Sequence, residues 1–187
     1  MKPNLFLFLL VSIMGSGGLL PETSQAANRT CTGSLGSITV DNLSVASGQT
    51  CRLEGTKVKG NLFVGANATL IASGLKLSGN LQAKGAAQVN VTFFSTVDGN
   101  VEVQRSRSVN ISAAKIEGNL MFIANTGAVS ALGSQIKGNV EAVQNTGGVL
   151  IRNNRIEGNL ICKGNRPTPT GNDNAVEGNK EGQCDRL

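Results

Sequence analysis

Apolar residues recur at three fixed places within a unit of 19 or 20 residues, and glycine, asparagine, alanine and serine fill the intervals. The unit is marked by Gly-Asn-(Leu/Val) at Asn61, Asn80, Asn100, Asn119, Asn139 and Asn159, with Asn42 opening the series after Asp41 and Asn179 closing it before Lys180. Successive asparagines are 19, 19, 20, 19, 20, 20 and 20 residues apart. After each asparagine two apolar residues flank a variable one, from Leu43/Val45 through Leu62/Val64 and Leu120/Phe122 to Leu160/Cys162. A second such pair lies at mid-unit: Cys51/Leu53, Val89/Val91, Val109/Ile111, Val129/Ala131 and Val149/Ile151, with Leu70 and Ala72 a weaker match. A third apolar position precedes the glycine at Val58, Leu77, Val97, Ile116, Ile136, Ile156 and Val176. Period-two alternation places both members of a pair on one face of a strand.

Three short strands per unit predict one coil of a parallel β-helix, an all-β solenoid. One coil cannot bury its inward face, whereas a stack buries a continuous aliphatic column. At the spacing of paired strands, about eight coils make a rod about 40 Å long. Right-handed coiling follows from the dominant sense of parallel crossovers. A left-handed β-helix requires a six-residue period that is absent, and no stretch sustains the i, i+3, i+4 stripe of a helical solenoid. The Gly-Asn pair reads as a corner at positive φ. Its asparagines Asn42, Asn61, Asn80, Asn100, Asn119, Asn139, Asn159 and Asn179 read as a structural ladder, because a side-chain amide both donates and accepts.

The segments Asn154-Arg155-Ile156-Glu157-Gly158-Asn159 and Asn174-Ala175-Val176-Glu177-Gly178-Asn179 resemble the N-x-I-x-G-N coil signature of right-handed parallel β-helices of the pectin-lyase-like superfamily. The resemblance runs from Cys31 to Cys184. The stretch from Cys162 to Cys184 is similar to the tail of small secreted bacterial β-helix proteins of no assigned function. Enzymes of that superfamily cleave acidic polysaccharides with clustered aspartates, sometimes calcium, and a basic side chain.

The first residues have a different composition. Lys2, an apolar run from Leu5 to Met14 and the small-x-small triplet Ser24-Gln25-Ala26 read as a signal peptide over residues 1–26, leaving a single β-helix domain over 27–187. Cleavage falls after Ala26, with Ala27 as the alternative, and the run is too short to span a bilayer. The expected location is therefore secreted or periplasmic, with no transmembrane span in the mature form.

Four cysteines fall in two pairs, Cys31 with Cys51 and Cys162 with Cys184, separated by 20 and 22 residues, close to one coil. Other pairings join opposite ends of a rod, beyond disulfide reach. Each bridge closes a loop worth about 3 kcal/mol on the chain-entropy account, at the end coils that lack a neighbour. No metal site or cofactor is expected, because there is no histidine and no C-x-x-C spacing.

Catalysis finds little material, and the reading leans against an enzyme. The absence of histidine removes Ser-His-Asp and Cys-His arrangements. Asp41, Asp98, Asp173 and Asp185 are scattered over different coils. Glu102 and Glu141 share a column about 10 Å apart, with Phe122 and no acid assigned to the coil between. Lys57, Lys76, Lys115 and Arg155 precede the third apolar position, and Asp98, Glu117, Lys137, Glu157 and Glu177 follow it, which predicts solvated charge columns.

Removing Lys2 and Glu22 leaves 16 basic and 11 acidic residues, a surplus of +5 that suits acidic partners. Lys84, Arg105 and Arg107 form a candidate basic patch for acidic glycan. Six phenylalanines without Tyr or Trp predict an aliphatic core and no stacking platform for sugars or bases, which makes a poor nucleic-acid surface. Residues 165–174, with Pro167 and Pro169, read as a cap that blunts the sheet edge, or alternatively as a binding loop. Five N-x-S/T sequons (Asn28, Asn42, Asn67, Asn90, Asn110) matter only in a eukaryotic secretory route.

These readings converge on a secreted, monomeric, non-catalytic β-helix serving as a structural or surface module, with acidic polysaccharide or a cell-envelope component as partner. The alternative is a lyase or hydrolase of acidic polysaccharide. A filament subunit, as in the bactofilins, conflicts with the leader and the capped ends.

Overall fold

The computed structural model describes residues 28–187, and the leader with its cleavage site lies outside the described residues. The described residues form a parallel β-solenoid of about 7 turns, with three sheets and no helix among them. The first sheet, 9-stranded, holds the strands that follow the asparagines, from Arg29–Cys31 to Lys180–Gly182. The second, 7-stranded, runs from Ser34–Leu35 to Val149–Arg152. The third, 8-stranded, holds the two-residue strands before the glycines, from Thr39–Val40 to Ala175–Val176. Every strand pairs in parallel with its counterpart one coil away, so each repeat position becomes a column along the rod.

The columns explain the alternation. In the first sheet Leu62, Leu81, Val101, Leu120, Val140 and Leu160 are register partners pointing inward, and so are Val64, Ala83, Val103, Phe122, Ala142 and Cys162. Leu70 and Ala72 are as fully buried as the clearer pairs of the second sheet. Phe122, the largest enclosed side chain, has Ala142 as a column neighbour and Ala131 in its own coil, so small residues compensate its volume.

Both disulfides form where spacing placed them, with Cα–Cα separations of 5.6 Å for Cys31–Cys51 and 5.2 Å for Cys162–Cys184. Register adds a detail: Cys31, Val45, Val64, Ala83, Val103, Phe122, Ala142 and Cys162 are one inward column. The bridges thus occupy its first position and its last side chain, Cys162 being followed in register only by Gly182.

The Gly-Asn corner requires a correction. Its glycines do not adopt positive φ; the left-handed residues stand at the other two corners. What the glycine supplies is clearance. A Cβ on Gly138 would lie 2.5 Å from Asn119 Oδ1 and 2.7 Å from the Gly118 carbonyl, and the same crowding recurs along the column. Close stacking of successive coils, rather than backbone handedness, selects glycine here.

The segment read as a cap keeps to the path of the coil. Thr170 forms an isolated parallel bridge to Leu150, and Ile151 N–H donates to the Thr170 carbonyl at 2.9 Å. Asn165 and Asn174, at its ends, are buried.

Candidate functional site

On the outside of the first sheet the second residue of each strand forms a column of its own: Ser44, Phe63, Gln82, Glu102, Met121, Glu141, Ile161 and Glu181. Beside it run Lys84, Gln104, Ile123, Val143 and Lys163. At the N-terminal end of these columns lies an open groove of about 480 Å³, whose lining includes Phe63, Gln82, Lys84, Glu102, Gln104 and Ser47. Phe63 is 43% exposed, an aromatic face presented to solvent among hydrogen-bonding groups. Gln104 Nε2 donates to Glu102 Oε1, which fixes the carboxylate across the groove wall. The outward direction of Phe63 follows from parity, because it stands between the inward Leu62 and Val64. The parity was available in the sequence; counting the phenylalanines as a class concealed it.

The three candidate basic residues take separate stations. Lys84 lines the groove. Arg105 follows Gln104, the register partner of Lys84, and occupies the corner after the strand at φ 50°. Arg107 reaches across coils, its guanidinium donating to Asn67 Oδ1 at 2.7 Å. Glu102 and Glu141 do share a column, but the side chain between them is Met121; Phe122 points inward, which corrects the earlier placement.

The third sheet's exterior carries paired charge. Lys115 and Lys137 both bind Glu117, at 2.7 and 2.5 Å, while Arg155 binds Glu177 at 2.6 Å and Lys59 approaches Asp41 at 3.8 Å. The hydrogen bond from Lys115, then that from Lys137, holds the Glu117 carboxyl below its ordinary value. The bond to Glu117 in turn raises Lys137. All these groups are solvated, and the arrangement is a surface ion-pair ladder rather than a tuned reaction centre.

The asparagines of the Gly-Asn corner make a continuous hydrogen-bonded series. Each backbone N–H from Asn61 to Asn179 donates to the Oδ1 of the asparagine one coil earlier, at 2.8–2.9 Å. These side-chain oxygens are consumed within the fold and offer little to a ligand.

Two further ladders escaped sequence reasoning. Between the first and second sheets, Ser106, Asn125 and Asn145 each donate a backbone N–H to the next coil's Oδ1, on Asn125, Asn145 and Asn165, at 2.9–3.0 Å, and Asn165 donates to Gln183 Oε1 at 2.8 Å. Between the second and third sheets the same role falls to Ser134, Asn154 and Asn174. The signal for both was the 20-residue interval Asn125, Asn145, Asn165 and Asn154, Asn174.

Among the described residues no three His, Cys, Asp or Glu side chains assemble in a metal-holding arrangement. No helix there is long and apolar enough to cross a membrane. No family model, curated protein or solved structure matches the chain.

Proposed function

We propose that this is a secreted or periplasmic, non-catalytic β-solenoid whose outer groove on the first sheet binds acidic carbohydrate. The observation that carries this reading is the exposed Phe63 ring set among Gln82, Lys84, Glu102 and Gln104. An aromatic face packs on the C–H face of a sugar ring, and a few placed polar groups fix its orientation. Lys84 supplies a cation for a uronate carboxylate, and Glu102, oriented by Gln104, accepts from hydroxyls. A polysaccharide laid along the rod meets a new pair of outward side chains at each coil, about every 4.8 Å. Arg105, at the adjoining corner, extends the positive rim.

Export is supported by the leader-like N-terminus and by two disulfides, which persist in oxidising compartments. The N-x-I-x-G-N signature, similar to that of the pectin-lyase-like superfamily of bacterial and other secreted β-helices, agrees with a polysaccharide partner. One observation favours a second reading, lyase or hydrolase action: Glu102 lies in the groove, in the same column as Glu141.

The deciding experiment is a glycan array carrying pectate, alginate, heparin-type and neutral polymers, followed by product analysis on every polymer that binds. Retention on uronate polymers without chain cleavage, reduced by Lys84→Gln and by Arg105→Gln/Arg107→Gln, is the expected result. Cleavage, with or without calcium, establishes the enzymatic reading instead. Binding to none of the polymers removes both.

A further inference from the structure

The corner between the second and third sheets is turned by a single left-handed residue in most coils: Gly55, Gly74, Ala113, Gly133, Asn153 and Asp173. One coil uses two, Phe93 at φ 38° and Phe94 at φ 56°. These are also the most exposed large apolar side chains described, at 64% and 86%. Bulky residues are disfavoured in that backbone region, and strain of this kind collects where a surface has work to do. An exposed phenylalanine pair gains nothing from the core either. Glycine turns the same corner one coil earlier, at Gly74, without protruding rings.

The tip is firmly held. Phe94 N–H donates to the Ala113 carbonyl at 3.1 Å, and the Phe93 carbonyl accepts from Gly74 N–H at 2.9 Å. Only the side chains are unpartnered.

Charge around the tip is the second observation. The adjoining outward column of the third sheet reads Thr39, Lys57, Lys76, Thr96, Lys115, Gln135, Arg155 and Ala175, cationic at four positions and acidic at none. Thr96, two residues past Phe94, has Lys76 and Lys115 as register partners. Phe94 and Lys115 line one shallow groove of about 380 Å³. Acids flank this column as well: Glu117 is bonded to Lys115 and Lys137, Glu177 is bonded to Arg155, and Asp98 stands two residues past Thr96, whereas Lys57 and Lys76 enter none of these ion pairs. On the other side of the corner the second sheet presents Asn90, Thr92, Asn110 and Ser112, all uncharged.

We propose that Phe93 and Phe94 are a membrane-docking tip: both rings enter the headgroup–acyl boundary of an anionic bilayer while Lys76 and Lys115 meet its phosphates. A short apolar anchor alone gives marginal, reversible attachment, and a basic patch beside it provides the second attraction that holds it. Two rings at an outer corner form a convex edge, which suits a deformable partner rather than a preformed cleft. The cationic column selects an anionic surface over a neutral one. The site is separate from the carbohydrate groove on the first sheet and stands or falls independently of it.

The test is co-sedimentation of the full chain, as expressed and processed, with vesicles of phosphatidylcholine alone and of phosphatidylcholine with phosphatidylglycerol. The protein should partition at least about tenfold more strongly to the anionic vesicles. Phe93→Gly/Phe94→Gly should reduce that partition by about tenfold or more while melting stays level or rises, since glycine accepts the local backbone. Phe93→Asn/Phe94→Asn repeats the test should the glycine pair loosen the corner. Lys76→Gln and Lys115→Gln should each weaken anionic binding by about fivefold. Equal partition of the ring-deleted variant and the parent overturns the proposal, as does a parent that binds neither vesicle. A dimer abolished by Phe93→Gly/Phe94→Gly, without vesicle binding, overturns it too and assigns the rings to a contact between copies.

Discussion

Two of the asparagine ladders, one running the length of the rod from Asn42 to Asn179 and one confined to its C-terminal half from Ser106 to Gln183, differ in visibility, burial and direction. At the Gly-Asn corner each backbone N–H reaches back to the previous coil's Oδ1, and the groups are half-buried for most of the series. At the corner between the first and second sheets each N–H reaches forward to the next coil, and Asn125, Asn145 and Asn165 are buried. There the side-chain amide nitrogens are used as well. Asn145 Nδ2 donates to the Phe122 carbonyl at 2.9 Å and to Asn165 Oδ1 at 2.8 Å. The conspicuous ladder can turn to water when broken, whereas the inconspicuous one has no solvent to receive its orphaned groups. Repetition in sequence marks where coils must stack closely. Energetic weight follows burial instead.

The comparison can be broken most directly at Asn145. Asn145→Ala strands the Asn125 N–H and takes one partner each from Asn125 Nδ2, the Phe122 carbonyl and Asn165 Oδ1, and should cost about 3 kcal/mol in denaturant unfolding. Next comes Gly138→Ala at the other corner, where the added methyl pushes on the Gly118 peptide and Asn119. A loss of about 2–3 kcal/mol is expected in the same assay. Gly133→Ala provides the control. Its φ is 56° but its Cβ would meet open space, so only backbone strain of about 1 kcal/mol should appear. A larger loss at Gly133 than at Gly138 would restore positive φ as the governing demand on glycine. Asn139→Ala should cost about 1 kcal/mol, because the freed Asn159 N–H is within reach of water.

The smallest effect concerns charge. Glu117, held below its ordinary 4.5 by Lys115 and Lys137, adds stability above that pH and loses it as pH falls through the lowered value. Lys137, raised from 10.5 by Glu117, adds stability below that pH and loses it as pH rises through the raised value. Glu117→Gln should therefore flatten the melting temperature against pH slightly at both extremes, and strong salt should shrink the difference between the two proteins.

Much of this architecture was legible in the chain because columns repeat whatever each coil does. The 19- to 20-residue interval implied the coil, alternation assigned inward and outward faces, and the cysteine intervals implied end clips. Other features depend on neighbours one coil away, which a single unit does not display. The demand on glycine at Gly138 comes from the Gly118 peptide stacked beneath it, not from its own dihedrals. Asn125 and Asn145 lie amid polar turn residues, yet adjacent coils enclose them. Six phenylalanines counted as a class offer no stacking platform, yet parity turns Phe63 outward and an added corner residue turns out Phe93 and Phe94. Repeat spacing groups Lys84, Arg105 and Arg107 one coil apart on the turn after the first strand, and the bond from Arg107 to Asn67 draws one of them along the corner.

The central claim is that the repeated asparagines serve the fold while unrepeated outward side chains serve binding. Calorimetric titration of an oligo-uronate into the parent protein, Phe63→Ala and Asn139→Ala tests it most directly. The prediction is a loss of affinity of about tenfold or more for Phe63→Ala, and parental affinity for Asn139→Ala despite its lower melting temperature. Parental affinity in Phe63→Ala, or an equal loss in Asn139→Ala, would contradict it.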